Sequence, residues 1–353
     1  MTSGSYGKKG LDADVLVAGG GPVGLAAAVL ATRYGLRACV VEPRPAPLDK
    51  ACGEGLMPSA VRALGALGVQ PGGRPFRGIA YVDAKGGRSA QAYFRHGPGL
   101  GVRRTELHGA LADRAERAGV ERLAARVGEV RQDVLGVEAA GVRARWLIAA
   151  DGLHSPVRAQ LGLGRPPRSA HRWGLRRHYA VQPWSDLVEV HWADDAEAYV
   201  TPVGDHLVGV AVLTAVRGRR YEDWAASFPA LGERLAGAAA VTSALGAGPL
   251  EQNVGRRVAG RVLLVGDAAG YVDALTGEGL ALGMAQAAAA VACITRGRPT
   301  DYEGEWRRVS RRYRYITRGV LAAAGRPWLR PAVVPAAAAL PGVFGTLVRA
   351  LGD

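Results

Sequence analysis

Apolar residues change their spacing twice along this chain, and the changes mark out its elements. Residues 15–18 form a continuous apolar run, the pattern of a strand buried on both faces. Residues 22–34 carry small and aliphatic side chains at helical spacing, with Gly35 placed to cap the C-terminus. A second apolar run at 38–41 completes a strand–helix–strand unit. The Pro/Gly-rich stretch 43–58 reads as a loop of the kind that carries function. Helical spacing returns over 105–118 through Leu107, Leu111 and Ala115, and another buried strand is predicted at 145–150. After Leu163 the period falls to two. Val188, Val190 and Trp192 then share one face, while Glu189 and His191 share the other. A Gly204-Asp205 turn between 198–203 and 206–213 predicts an antiparallel hairpin. The buried-strand pattern resumes at 262–265, and a long alanine-rich helix starts at about Gly279. Residues 332–351 are apolar, but Pro335 and Pro341 interrupt helical hydrogen bonding, so two short packing helices are predicted there and no membrane span.

Composition adds bounds. A hydrophobic share of 48% in 353 residues is enough for a sizeable core. The net charge of +14 at pH 7 raises the question of a nucleic-acid partner. The excess is almost all arginine, since Lys8, Lys9, Lys50 and Lys85 are the only lysines among 45 basic residues. The arginines are scattered, without the basic stripe interleaved with aromatics that nucleic-acid grooves use, so no nucleic-acid binding is expected. Cys39, Cys52 and Cys293 show no metal-ligand spacing and cannot complete a disulfide framework, which fits a cytoplasmic protein without a metal. Lys8-Lys9 before an apolar run resembles a signal peptide, yet Gly19-Gly20-Gly21-Pro22 breaks the run.

Three glycine-containing motifs carry the chemistry. In Gly19-Gly20-Gly21-Pro22-Val23-Gly24, the glycines at 19, 21 and 24 match G-x-G-x-x-G. Gly19 permits the tight turn, Gly21 lets the backbone approach a pyrophosphate, and Gly24 lets the helix pack closely on the sheet. Pro22 then opens a helix whose free N–H groups face the phosphates. Glu42, at the end of the second strand, is placed to accept ribose hydroxyls. This is a Rossmann-like dinucleotide site. The second motif is Ala150-Asp151-Gly152-Leu153-His154-Ser155-Pro156-Val157-Arg158, and the third is Val265-Gly266-Asp267-Ala268-Ala269-Gly270.

Glu42 with Arg44, Arg104-Thr105-Glu106-Leu107, Asp151-Gly152 and Gly266-Asp267, in that order, resemble the FAD sites of the aromatic hydroxylase (group A) flavin monooxygenases and of the related geranylgeranyl reductases. The resemblance runs from Asp14 to about Gly283. It implies an α/β fold with a glutathione-reductase-like FAD-binding domain at 11–164 and 254–300. An antiparallel β-sheet substrate domain at 165–253 would interrupt it, and C-terminal helices would occupy 301–353. It further implies that Arg104 contacts the FAD phosphates, that Asp267 serves the ribityl and pyrophosphate region, and that Asp151-Gly152 lies where FAD meets NADPH or NADH. The segment Asp273-Ala274-Leu275-Thr276-Gly277-Glu278-Gly279 would aim a helix N-terminus at the flavin, with Gly277 and Gly279 against it. Here the chain departs from the hydroxylases, with Ala274 in place of their proline, Ala281 in place of their asparagine and Gly270 in place of their histidine.

Lys50-Ala51-Cys52-Gly53-Glu54-Gly55-Leu56 is similar to the Cys-Gly-Gly loop of the geranylgeranyl reductases. Glu54 is a candidate proton donor or substrate contact, with a solvated loop carboxylate as the alternative. Cys52 is a candidate reactive thiol, with a small buried residue as the alternative. The inserted sheet offers Trp173, His178, Trp184, His191, Trp192 and Tyr199 for stacking on a flat substrate, and Thr201 beside them. Of these, His191, Trp192, Tyr199 and Thr201 are the substrate candidates. The resemblance implies a monooxygenase first. Reduced FAD would form a flavin hydroperoxide with O2 and transfer one oxygen atom to a small aromatic or alkenyl substrate, in bacterial specialised metabolism. The alternative is a flavin-dependent reductase of an isoprenoid double bond. A halogenase is disfavoured, because no W-x-W-x-I-P motif is present.

Overall fold

The computed structural model describes residues 11–168, 171–326 and 328–352, and Lys8-Lys9 lies outside the described residues. One sheet is built around the strand–helix–strand unit. Its order is Val258–Ala259, Val262–Leu264, Val142–Ala149, Ala13–Ala18, Ala38–Val41 and Glu121–Leu123. Along this path only the first pair is antiparallel, with Val15 opposite both Trp146 and Ala38, and off it Val137–Ala139 and Arg131–Gln132 extend antiparallel from Val142–Ala149. The central strands are buried almost throughout, as parallel strands between helical layers must be. Helix Pro22–Arg33 follows the first strand and packs on helices Arg104–Arg117 and Gly279–Thr295. It ends at Tyr34, and Gly35 takes the left-handed φ of +74° that a β-carbon disfavours. Leu16, Leu25, Leu147 and Ile148 are fully enclosed in this core. Such side chains each contribute roughly 1.5–3 kcal/mol over an exposed position.

The second sheet has the order Ala239–Ala240, Trp173–Ala180, Leu207–Thr214, Ala196–Gly204, Val188–Trp192, Gly78–Asp83 and Ser89–Tyr93. The hairpin predicted about Gly204-Asp205 is present, its strands paired from Ala196 opposite Thr214 to Gly204 opposite Leu207. Two strands come from 78–93, a stretch to which the apolar pattern alone gave no role. Gly78–Asp83 runs parallel to Val188–Trp192, with Ile79 opposite Val188. The chain therefore leaves the nucleotide-binding sheet for this one, returns at 104–149, and leaves again at 173.

At the C-terminus, helix Tyr302–Ala324 packs on Gly279–Thr295. The two short helices anticipated from Pro335 and Pro341 are Val333–Ala339 and Pro341–Gly352, which meet at 103°. They cover Ser89–Tyr93 at the edge of the second sheet, where Phe344 packs on Tyr81 with ring centroids 4.6 Å apart and planes tilted by 48°. Among the described residues no single helix is long and apolar enough to cross a membrane.

Candidate functional site

The three motifs sit at the carboxyl ends of three neighbouring parallel strands, the position where open α/β sheets bind ligands. Gly19 has φ of +99°, and a β-carbon there would lie 2.6 Å from the carbonyl oxygen of Ala150. A β-carbon on Gly24 would lie 1.9 Å from the carbonyl oxygen of Gly19. Both glycines are thus required by the fold. Gly21 differs: a β-carbon there meets nothing within 4 Å, and the position faces a cavity of about 680 Å³. That open cradle lies at the N-terminus of a helix that begins with Pro22.

Gly20 between them is held from both sides. Its N–H donates to Glu42 Oε2 at 3.1 Å, and its carbonyl accepts from His108 Nε2 at 2.9 Å. Glu42 also accepts from Arg44 Nε at 2.8 Å. Burial raises the Glu42 carboxyl, but the bonds from Arg44 outweigh it and hold the pKa below its ordinary value. His108 was missed in the sequence, where a single histidine beside Leu107 gives no signal. Burial lowers its pKa, so it stays neutral and donates through Nε2.

The second and third motifs are tied together by the buried Arg158, which donates to the carbonyls of Leu153 (2.7 Å), Asp267 (3.3 Å) and Ala268 (3.2 Å). Gly152 and Gly266 both have left-handed φ, +86° and +60°. Asp151 accepts from the Val157 N–H through Oδ2 at 3.0 Å, while its buried Oδ1 has no partner in the protein. Burial raises its pKa. Asp267 pairs with Lys50 Nζ at 3.0 Å, and the Gly266 N–H is held by Gln286 Oε1 at 2.8 Å. The open cradle at Gly21 and the unpaired oxygen of Asp151 are what a bound dinucleotide would complete, so the residues present fit FAD.

Gly19, Gly21, Pro22, Glu42, Arg44, Arg104, Asp151, Gly152, Gly266, Asp267, Gly277 and Gly279 all line this one cavity, whereas Gly24 lies behind it. Helix Gly279–Thr295 opens on the same space, and Gly277 has φ of +69°. Glu278, at the N-cap of that helix, has one buried oxygen without a partner, and burial pushes its pKa up to about 7. Asp273 is pushed by burial to about 6, an effect moderated by Arg172 at 3.3 Å.

The 43–58 loop forms another wall. Glu54 is not solvated. It sits at φ of +57°, caps helix Arg104–Arg117 by accepting the Arg104 N–H at 2.9 Å, and meets His178 Nε2 at 2.5 Å. Arg176 can only donate, so His178 accepts from Arg176 Nη1 through Nδ1 (3.0 Å) and directs its Nε2–H at Glu54. Arg176 also bonds Asp49, which fastens the loop to the second sheet. Cys52 lines the cavity, and burial raises its thiol pKa.

The four substrate candidates divide. Tyr199 and Thr201 line the cavity; Tyr199 donates to the Leu275 carbonyl at 3.1 Å and Thr201 to that of Gly53 at 2.7 Å. His191 and Trp192 do not. His191 bonds Glu189 at 3.0 Å on the opposite face of its strand, where Trp184 also bonds Glu189. Trp192 shares a face with the cavity-lining Val188 and Val190, but it lies further along the strand, packed on Tyr81 at 5.2 Å and beside Arg330. Alternation identified its face but not the cover over its end of the strand.

Comparisons with known proteins agree with this geometry. Residues 12–297 match the family described as FAD binding domain. The menaquinone reductase of Mycobacterium tuberculosis is 31% identical over 309 residues, 77% of this chain and 74% of that protein. The 6-methylpretetramide 4-monooxygenase of Streptomyces rimosus is 36% identical over 179 residues, 44% of this chain and 42% of that protein. A flavoprotein/dehydrogenase from Cytophaga hutchinsonii shares the fold with a TM-score of 0.80 at 18% identity, over 96% of this chain and 92% of that one. With its three motifs on adjacent strands around one cavity, this chain belongs to the FAD-binding family of hydroxylase- and reductase-type flavoenzymes.

Proposed function

We propose that this chain is a FAD-dependent reductase that saturates a carbon–carbon double bond in an apolar, isoprenoid-type substrate. The observation that carries the reading is the make-up of the cavity. Beyond the flavin motifs its wall is mostly apolar: Ile79, Val188, Val190, Leu213, Val320 and Leu351 supply an aliphatic surface beside the rings of Phe76, Tyr81, Trp173, Tyr199 and Tyr271, and Asp49, Lys50 and Glu54 line it from the loop. A hydrocarbon chain laid on that wall leaves water at a gain of about 25 cal/mol per Å². The reductase relative supports the reading because it matches along about three quarters of both chains, while the monooxygenase match covers less than half of each. The Cys52-Gly53-Glu54 loop and Gly270 point the same way.

When bound and reduced by NADPH or NADH, FAD supplies the hydride for such a reaction. The protein's part is to bind and orient. Gly21 and the first turn of helix Pro22–Arg33 would hold the phosphates, and Glu42 would accept from the ribose. The N-terminus of helix Gly279–Thr295 opens on the cavity, where its N–H groups would favour negative charge on a bound flavin. Cys52 and Tyr271 both line the cavity, and burial raises both, so at neutral pH they hold protons on Sγ and Oη beside the substrate.

A monooxygenase acting on a small aromatic substrate is the second reading, favoured by Tyr81 and Tyr199 in the wall and by the Streptomyces relative. Anaerobic incubation of FAD-loaded protein with NADPH, NADH or dithionite and a polyprenyl alkene separates the two by mass spectrometry of the product. A gain of two hydrogens without O2 is expected. A product that gains one oxygen atom, and forms only after O2 is admitted, would replace the reductase reading with the monooxygenase one.

A further inference from the structure

We infer that the corner between the two C-terminal helices, with the arginine-rich surface beside it, docks this protein on an anionic lipid bilayer. Two independent observations carry this. The first is an exposed apolar projection. From Pro331 to Val348 no charged residue occurs, and the residues at the 103° corner, from Ala338 through Leu340 and Pro341 to Val343, all face solvent. Leu340 is 56% exposed and Val343 66%. Trp328, on the turn that leads into the first of these helices, is 73% exposed, and Trp is the residue most at home where headgroups meet acyl chains. Scattered apolar residues on a surface need no account, but a contiguous projecting run does.

The second observation is charge. Between Trp306 and Gly352 there are nine arginines and not one aspartate, glutamate or lysine. Arg307, Arg308, Arg311 and Arg312 are exposed on helix Tyr302–Ala324, and Arg312 donates to the Ala350 carbonyl, which ties this arginine face to the C-terminal end of the last helix. An apolar wedge flanked by cations is the chemistry of interfacial membrane binding, in which apolar area and attraction to anionic lipid act together. A second copy of the chain would meet this face with the same positive charge, which an anionic lipid surface neutralises. The same helices reach the large cavity, since Val320 and Leu351 form part of its wall.

The test uses the full-length, FAD-loaded protein, sedimented with vesicles of phosphatidylcholine alone or mixed with phosphatidylglycerol. Binding at least about tenfold tighter to the anionic vesicles is expected, weakening as salt is raised. The variant L340E/V343E alters only exposed side chains and should keep its flavin absorbance while losing most of the binding. R307Q/R311Q should keep a weak, salt-insensitive association and lose the anionic preference. No sedimentation with anionic vesicles, or sedimentation of L340E/V343E equal to the parent, would overturn the proposal. So would a lipid-free dimer that L340E/V343E converts to monomer, which would show the corner to be covered by a second copy.

Discussion

Gly21 and Gly24 lie three residues apart in the same motif, and their surroundings separate a ligand requirement from a folding one. The backbone at Gly21 has φ of −69° and ψ of 174°, which any residue adopts, and a β-carbon there meets nothing within 4 Å. Gly21→Val should leave the stability of the FAD-free protein within about 0.5 kcal/mol of the parent, the range of substitutions that disturb no packed neighbour. It places a branched side chain in the phosphate cradle, at an overpacking cost of about 1–3 kcal/mol. Each charge-assisted bond lost from a backbone N–H adds about 1.5–3 kcal/mol. FAD affinity should fall at least about a hundredfold, and the purified variant should be colourless. Gly24→Ala behaves in the opposite way. Its β-carbon would sit 1.9 Å from a backbone oxygen, so helix Pro22–Arg33 must move and the FAD-free protein itself is destabilised. Flavin absorbance of the purified proteins, FAD titration by fluorescence and melting of FAD-free samples report these quantities separately. A Gly21→Val protein with full yellow occupancy would refute the placement of the pyrophosphate, and one that melts far below its parent would refute the claim that the cradle is open.

Further outcomes follow from the loop and the second glycine segment. Glu54→Ala leaves His178 and the Arg104 N–H facing a void and should cost about 3 kcal/mol or more in chemical denaturation, whereas Glu54→Gln keeps an acceptor and should cost clearly less. Glu278 has a folded pKa of about 7, raised above its ordinary 4.5 by burial. The folded state therefore binds more protons than the unfolded chain between those values, and this carboxyl lowers stability as pH rises through that window. Glu278→Gln should remove that slope and gain on the order of 2 kcal/mol above pH 7 in the FAD-free protein, read as melting temperature against pH. Cys52→Ser should retain FAD and reduce turnover of a polyprenyl alkene while leaving flavin reduction by NADPH or NADH unchanged, a split that stopped-flow absorbance resolves.

The flavin motifs were legible in the sequence because the backbone itself demands their residues. Gly19, Gly152 and Gly266 occupy left-handed conformations, and Gly24 sits where a β-carbon cannot. Such constraints are local and leave a spelling in the chain. The two helices about Pro335 and Pro341 were legible for the same reason. The role of Glu54 was not, because its partner His178 lies 124 residues away on another sheet. Trp192 misled because alternation reports a face, and the cover over its end of that face includes Phe344, packed on the same tyrosine ring. Strand Gly78–Asp83 was invisible as part of the second sheet, since a parallel partner more than a hundred residues distant imposes no pattern on its own sequence.

That strand also governs how the site can open. Because the chain visits the second sheet twice, at 78–93 and again at 173–247, four backbone passages bridge the two sheets. A two-jaw motion would have to bend all four together. The C-terminal segment is secured to the body by its packing and enters the cavity wall through side chains at Val320 and Leu351. The C-terminal helices thus complete the wall of a site whose two sheets the backbone joins four times over.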